Sequence, residues 1–229
     1  MELKMKTISI IDTETTGLDE NEDHLVEIAA ATFGITEGSP DLNYMEHKAL
    51  FVDPGCPIPA EASAIHHIID SDVVDATSEG DARYIFEGAD YYVAHNAKFD
   101  RGFLHYDAPW ICTYKVAYRH WPEAPAHKNM VLHYFLKNTI PSWCPRDLYP
   151  HRALYDVAVT SEIFRILLKY HTLDEMIAVS SRPLLLRTVD FGKHFGQDWS
   201  TLPAGYLRWI TNNDFDEDTM YTARHYLGL

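Results

Sequence analysis

Three alternating or continuous apolar runs near the start of the chain, residues 7–12, 25–34 and 45–53, are separated by turn signals. Two short ones, 91–94 and 110–112, then alternate with segments of helical spacing at 101–106, 113–120 and 129–137. A longer helix follows at about 152–170, where Leu154, Val157, Ser161, Phe164 and Leu168 mark one face. Strands that first succeed one another and then alternate with helices describe an α/β layer fold on a mixed five-stranded sheet flanked by helices. The proline-rich residues 54–59 are a loop, since prolines cannot continue a central strand. A second break at 180–183 separates residues 1–180 from a small C-terminal extension, 184–229, too short to be read as an independent domain on its own.

Charge narrows the function classes. The 229 residues carry 19 Lys and Arg against 34 Asp and Glu, a formal balance of −15, which argues against a protein that holds nucleic acid by overall charge. The distribution is uneven: residues 1–97 hold 4 basic and 20 acidic groups, whereas residues 98–170 hold 10 and 6. Cys56, Cys112 and Cys144 are odd in number and widely spaced, which disfavours a disulfide framework or a zinc knuckle. No stretch approaches the roughly 18 apolar residues of a membrane span, and no secretory-signal pattern precedes residues 7–11. The expectation is a soluble, cytoplasmic chain without membrane contact.

Three acidic signals sit at the ends of apolar elements. Asp12 and Glu14 are two apart in an extended segment, so both carboxylates project from one face. Alone, the pair equally fits a solvated turn. Asp100 follows the strand-like 91–94 and His95-Asn96, where it also suits a helix cap. Asp156 falls in the first turns of the long helix, five residues after His151. Five helical residues separate side chains by about 140°, so these two converge only if His151 lies in the preceding loop. Four carboxylates with no matching basic cluster beside them are a costly concentration of like charge, which divalent cations resolve. Oxygen ligands select Mg²⁺ or Mn²⁺ over zinc. Two such ions assist in-line phosphoryl displacement, and a nearby histidine can take the proton of the attacking water.

Asp12-Thr13-Glu14, His95 through Asp100 and His151 through Asp156 resemble the three motifs of the DEDDh 3′→5′ exonucleases, the ribonuclease T and proofreading type, with His-x₄-Asp in the third. Arg152 excludes the sister class, which places a tyrosine there. The resemblance implies a ribonuclease H-like sheet, two Mg²⁺ ions with Mn²⁺ as substitute, and release of 5′-mononucleotides from 3′ ends. It implies that Asp12, Glu14 and Asp156 hold one metal and that Asp12 and Asp100 reach the second, with His151 as general base. Ala64-Ile65-His66, Trp110 to Thr113, Trp121-Pro122, Phe191-Gly192-Lys193 and Tyr206 to Trp209 extend the likeness to longer-tailed members of the family.

The same resemblance places Thr15, Gly17 and Leu18 against the terminal base and sugar, with His66 and Phe99 as further contacts. Phe99 also fits a core position, His66 a loop filler, and Asn96 a residue that orients the active-site loop. Lys98, Arg101, Lys115, Arg119, Lys128, Arg146 and Arg152 either track the phosphate backbone or are ordinary solvated charge. DNA 3′ ends, in a repair setting, are the expected substrate over RNA. Proofreading beside a polymerase and RNA trimming remain open. A catalytically silent binding module would require loss of a ligand, and all five groups are present. The extension is open to packing on the core, holding duplex DNA or recruiting a protein partner.

Overall fold

The structure, a computed structural model, describes residues 5–36 and 39–229. Its strands and helices run β1 (Met5–Thr15), β2 (Leu25–Thr36), β3 (Leu42–Asp53), α1 (Ala60–His66), α2 (Asp70–Val73), β4 (Thr77–Ser78), α3 (Glu79–Phe86), β5 (Tyr91–Ala94), α4 (Ala97–Leu104), β6 (Trp110–Cys112), α5 (Thr113–His120), α6 (Asn129–Phe135), α7 (Ala153–Leu167) and α8 (Leu173–Ser180), followed by α9 (Ala204–Thr211) and α10 (Glu217–Leu227). The sheet order is β4-β3-β2-β1-β5-β6. β1, β2 and β3 form an antiparallel meander, and β5 and β6 add parallel to β1. The sheet has six strands, not five. β4 contributes two residues beside Val52 and Asp53, too few to show a period-2 pattern in sequence.

β1 is buried on both faces. Ile8 and Ile10 pack with Ala29, Ala31 and Phe33 of β2 against Val157, Ile163 and Phe164 of α7. Ile11, one residue out of phase, packs on the other face with Tyr92, Ala94 and Phe103. Each such side chain withdrawn from water contributes about 1.5–3 kcal/mol, so the contact of α7 with β1 and β2 is held by several of them. That packing fixes Asp156 over the face from which Asp12 and Glu14 project. Asp12 opposes Ala29 and Glu14 opposes Glu27 across the β1–β2 pair.

Helix boundaries depart from the sequence reading in α4 and α6, and α7 ends at Leu167 rather than near 170. α4 begins at Ala97 rather than 101, because Asn96 adopts the left-handed conformation (φ 72°) and turns the chain directly from β5 into the helix. The 129–137 segment ends as helix at Phe135, with Lys137 at positive φ.

Two units separate by their internal contacts, residues 1–180 and 181–229. The second has its own core of Val189, Trp199, Leu202, Leu207, Ile210 and Ala223. Two 3₁₀ turns, Gly192–His194 and Trp199–Thr201, precede its helices, and Asp216 caps α10 by accepting the Thr219 N–H at 3.0 Å. Among the described residues, no helix is long and apolar enough to cross a membrane.

Candidate active site

Carboxylate oxygens of Asp12, Glu14 and Asp156 all lie within 4.8 Å of one another. Two come from the C-terminal end of β1 and one from the first turn of α7, elements that the core presses together. Asp100 stands outside this trio. It is buried at the start of α4 and accepts a hydrogen bond from Thr13 Oγ1 at 2.9 Å, which ties it to β1 between the two acidic residues. Asn96, not Asp100, occupies the cap of α4.

Electrostatics make the cluster expensive when empty of cations. Burial first, then Asp156, Asp100 and Glu14, pushes the Asp12 carboxyl far above the usual carboxylate range. Burial, Asp156 and Glu27 raise Glu14 to about 9, opposed by Arg152. Burial also lifts Asp100 to about 7, against the Thr13 hydrogen bond. Asp156 is raised by burial, opposed by the backbone N–H and imidazole of His151. A set of all-oxygen donors that resist ionising together is the donor chemistry of a hard divalent cation. The residues fit such an ion.

His151 lies in the turn before α7, exposed, at φ 67°. The left-handed conformation is costly for a residue with a Cβ, and the His151 N–H bonded to Asp156 Oδ2 at 2.7 Å holds it. The loop position that convergence requires is therefore met. His95 is bolted in place, Nδ1 against Thr113 Oγ1 at 2.9 Å and Nε2 against the His127 carbonyl at 2.7 Å, and burial lowers its pKa to about 4.

Thr15 to Leu18 form a stiff turn just past the carboxylates. Thr15 Oγ1 donates to the Gly17 carbonyl, and Asp23 accepts from Thr16 Oγ1 and the Asp19 N–H. A Cβ on Gly17 would run into the Asp23 carboxylate, which would have to shift from its bonds to Thr16 and Asp19. Leu18 is 85% exposed, an apolar side chain held out on a braced loop. Asn96 is exposed at the cap of α4. Phe99 is half-buried with its ring 5.0 Å from Phe103. His66 is buried at 2% exposure, its Nδ1 accepting the Ile68 N–H, and burial lowers its pKa against the Thr15 backbone.

A model of the RNase_T type, described as exonuclease, matches residues 9–164. The chain belongs to the RNase T family of exonucleases. Exodeoxyribonuclease 10 of Escherichia coli K12 is 36% identical over 228 residues, covering 96% of this chain and 98% of that protein. The solved exonuclease X in complex with 5′ overhanging duplex DNA superposes with a TM-score of 0.65 at 34% identity, over 76% of this chain and 99% of that one. Exonuclease I of E. coli with a dT13 oligonucleotide, at TM-score 0.56 and 16% identity over 71% of this chain and 41% of that one, shares the fold. The likeness read from the motifs and tail is to exodeoxyribonuclease X, and these relatives agree with it. This RNase T-type chain is thus a 3′→5′ exonuclease of a family that needs divalent metals.

Two residues of this exonuclease's site were not singled out from sequence. Glu27, 4% exposed in β2, accepts from Arg152 at 2.8 and 3.2 Å and from the Ala153 N–H at 3.0 Å. A strand carboxylate thereby caps α7 and neutralises the Arg152 guanidinium beside the cluster. Arg152 is consequently committed to Glu27, and not to a phosphate track. Asn129 Nδ2 donates to Asp156 Oδ1 and to its carbonyl, both at 3.2 Å, orienting the carboxylate. The signal for Glu27 was available as the one charge inside residues 25–35, otherwise apolar or small. Arg152→Met strands Glu27 as a further unpaired buried carboxylate. Because Arg152 keeps 20% of its side chain in solvent, the expected loss is at the lower end for a broken buried pair, about 2–3 kcal/mol in urea denaturation. A change under about 0.5 kcal/mol would show that the pair does not anchor α7.

Proposed function

We propose that this exonuclease removes 5′-mononucleotides from DNA 3′ ends with two Mg²⁺ ions, Mn²⁺ serving as a substitute, in a cytoplasmic DNA-repair setting. The observation that carries the reading is the convergence of Asp12, Glu14 and Asp156 within 4.8 Å, with His151 joined to Asp156 through its backbone N–H. The choice of DNA draws on relatives whose names and bound ligands are deoxyribonucleic.

Asp12, Glu14 and Asp156 hold the first cation, and Asp12 with Asp100 serves the second. When bound, paired divalent cations supply Lewis-acid stabilisation of the attacking and departing oxygens. Asn129 and the His151 N–H fix the rotamer of Asp156, and Thr13 fixes that of Asp100. The exposed His151 imidazole takes the proton from the attacking water as it meets the terminal phosphorus. Leu18, carried on the Asp23-braced turn, packs on the terminal base, with Thr15, Gly17, Asn96 and Phe99 along the sugar and backbone and His66 beneath. Sequence-tolerant grip of this kind relies on stacking and backbone contact.

The test uses 3′-labelled single-stranded DNA, duplex DNA and RNA of one sequence with Mg²⁺. Labelled mononucleotide should appear from DNA at the outset and vanish with Asp156→Ala. Internal fragments, a preference for RNA, or activity untouched by Asp156→Ala would overturn the reading.

A further inference from the structure

The second unit carries an aromatic cleft that hydrolysis in the first unit does not use. The turn Gly192–His194 and the start of α9 enclose about 560 Å³, a volume typical of ligand sites. Its walls are flat. Tyr206 and Trp209, three residues apart on α9, stack with centroids 5.4 Å apart and planes 21° from parallel. Trp209 is 48% exposed, yet its ring is braced by Phe215 in an edge contact at 5.5 Å. The indole is thus held still while showing half its surface to water.

The polar groups around these rings favour an anionic, flat ligand. Lys193 places its ammonium 5.4 Å from the Tyr206 ring centroid, and the His194 ring lies 4.3 Å from the same ring. None of the lining residues is acidic. Three acidic groups of this unit are engaged elsewhere: Asp198, Asp216 and Asp218 accept the N–H groups of Ser200, Thr219 and Leu184. Gly192 holds φ 59° in the turn beneath Tyr206, and Gly205 leaves open space where a side chain would project. Bare backbone beside stacked rings admits a planar group.

We propose that this cleft binds a splayed base of single-stranded nucleic acid, stacked on Trp209 with an adjoining phosphate at Lys193. The choice of ligand rests on the DNA-processing reading above. A strand held here stays tethered to the same molecule that hydrolyses it, which raises the effective concentration of its end.

The test uses the full chain carrying Asp12→Asn, so that dT12 is not degraded, with binding read by fluorescence anisotropy at low salt. Adding Trp209→Ala should weaken binding about 10-fold, the range of one lost base stack, and Trp209→Phe should restore most of it. Gly205→Leu, which meets no neighbour, should fill the cleft and weaken binding with Trp209 intact. It carries the test if thermal melting shows that Trp209→Ala fails to fold. Lys193→Gln should reduce the salt dependence by about one ion. Unchanged dT12 affinity in the folded cleft variants overturns the proposal, as does a proline-rich peptide that fills the cleft without competing with dT12. Wild-type hydrolysis in Mg²⁺ is run beside it. Its absence would sink the catalytic reading alone, whereas intact hydrolysis with indifferent cleft variants would sink only the cleft.

Discussion

Asp12→Asn is expected to make the metal-free protein more stable while removing its activity. The surroundings of Asp12 all oppose its ionisation, burial first and then four acidic neighbours. Replacing it with a neutral isostere removes that repulsion. A gain of about 1–2 kcal/mol is ordinary for relief of this kind, and for a chain of this size it raises Tm in chelator by roughly 2–8 °C. Hydrolysis should fall by more than about 10³-fold, beyond the about 10–100-fold that a supporting partner of a metal ligand carries. The two readouts move in opposite directions, which a merely structural aspartate would not produce. Tm falling together with activity would contradict the electrostatic account.

The same repulsion sets a pH dependence. Glu14 titrates near 9 in the fold against an ordinary value of 4.5, so the folded state keeps its proton after the unfolded chain has lost it. Stability in chelator should therefore be greatest below about 4.5 as far as this group is concerned, and decline as pH rises towards 9. Cations compete with those protons. The rise in Tm on adding Mg²⁺ should accordingly be larger at pH 8 than at pH 6, measured by thermal melting. An equal rise at both would show that the cations bind elsewhere.

His151→Ala is the second large expected effect. Its backbone N–H, rather than its ring, makes the 2.7 Å bond to Asp156, so truncating the ring leaves that tie available. Cation binding, read as the Mg²⁺-induced rise in Tm, should persist, while turnover at neutral pH falls by about 10²–10⁴. The left-handed turn is the complication. Alanine there keeps a Cβ at φ 67°, so strain is unchanged, and Tm should move little. Near-normal turnover would remove His151 from the role of base.

How much of this was legible in the sequence depends on what kind of signal each element leaves. β2 announces itself through a long apolar run, and α5 at Thr113–His120 begins and ends where its spacing says. α1, α2 and α3 do not, since each buries only one or two side chains: in α3, Ala82 and Phe86 alone face the core among charged residues. The sign of α3 was its cap. Ser78 accepts the Asp81 N–H and bonds its carboxylate, a Ser-x-x-Asp pattern readable without periodicity. Within the site, spacing explained why Asp12 and Glu14 share a face, but motif likeness was needed to bring Asp100 and Asp156 to them. Glu27 and Asn129 escaped because their roles arise only when α7 lies on β2 and against α6: one caps the helix across 126 residues of chain, the other orients Asp156 across 27. Sequence left His66 and Phe99 open between substrate contact and packing; in the fold His66 is 2% exposed and the Phe99 ring lies against Phe103.

Diffraction from crystals soaked in Mn²⁺ tests the central claim most directly. An anomalous peak should stand about 2.1 Å from carboxylate oxygens of Asp12, Glu14 and Asp156, with a second about 3.5–4 Å away toward Asp100. Manganese bound at any other cluster, with these oxygens left to water, would contradict it.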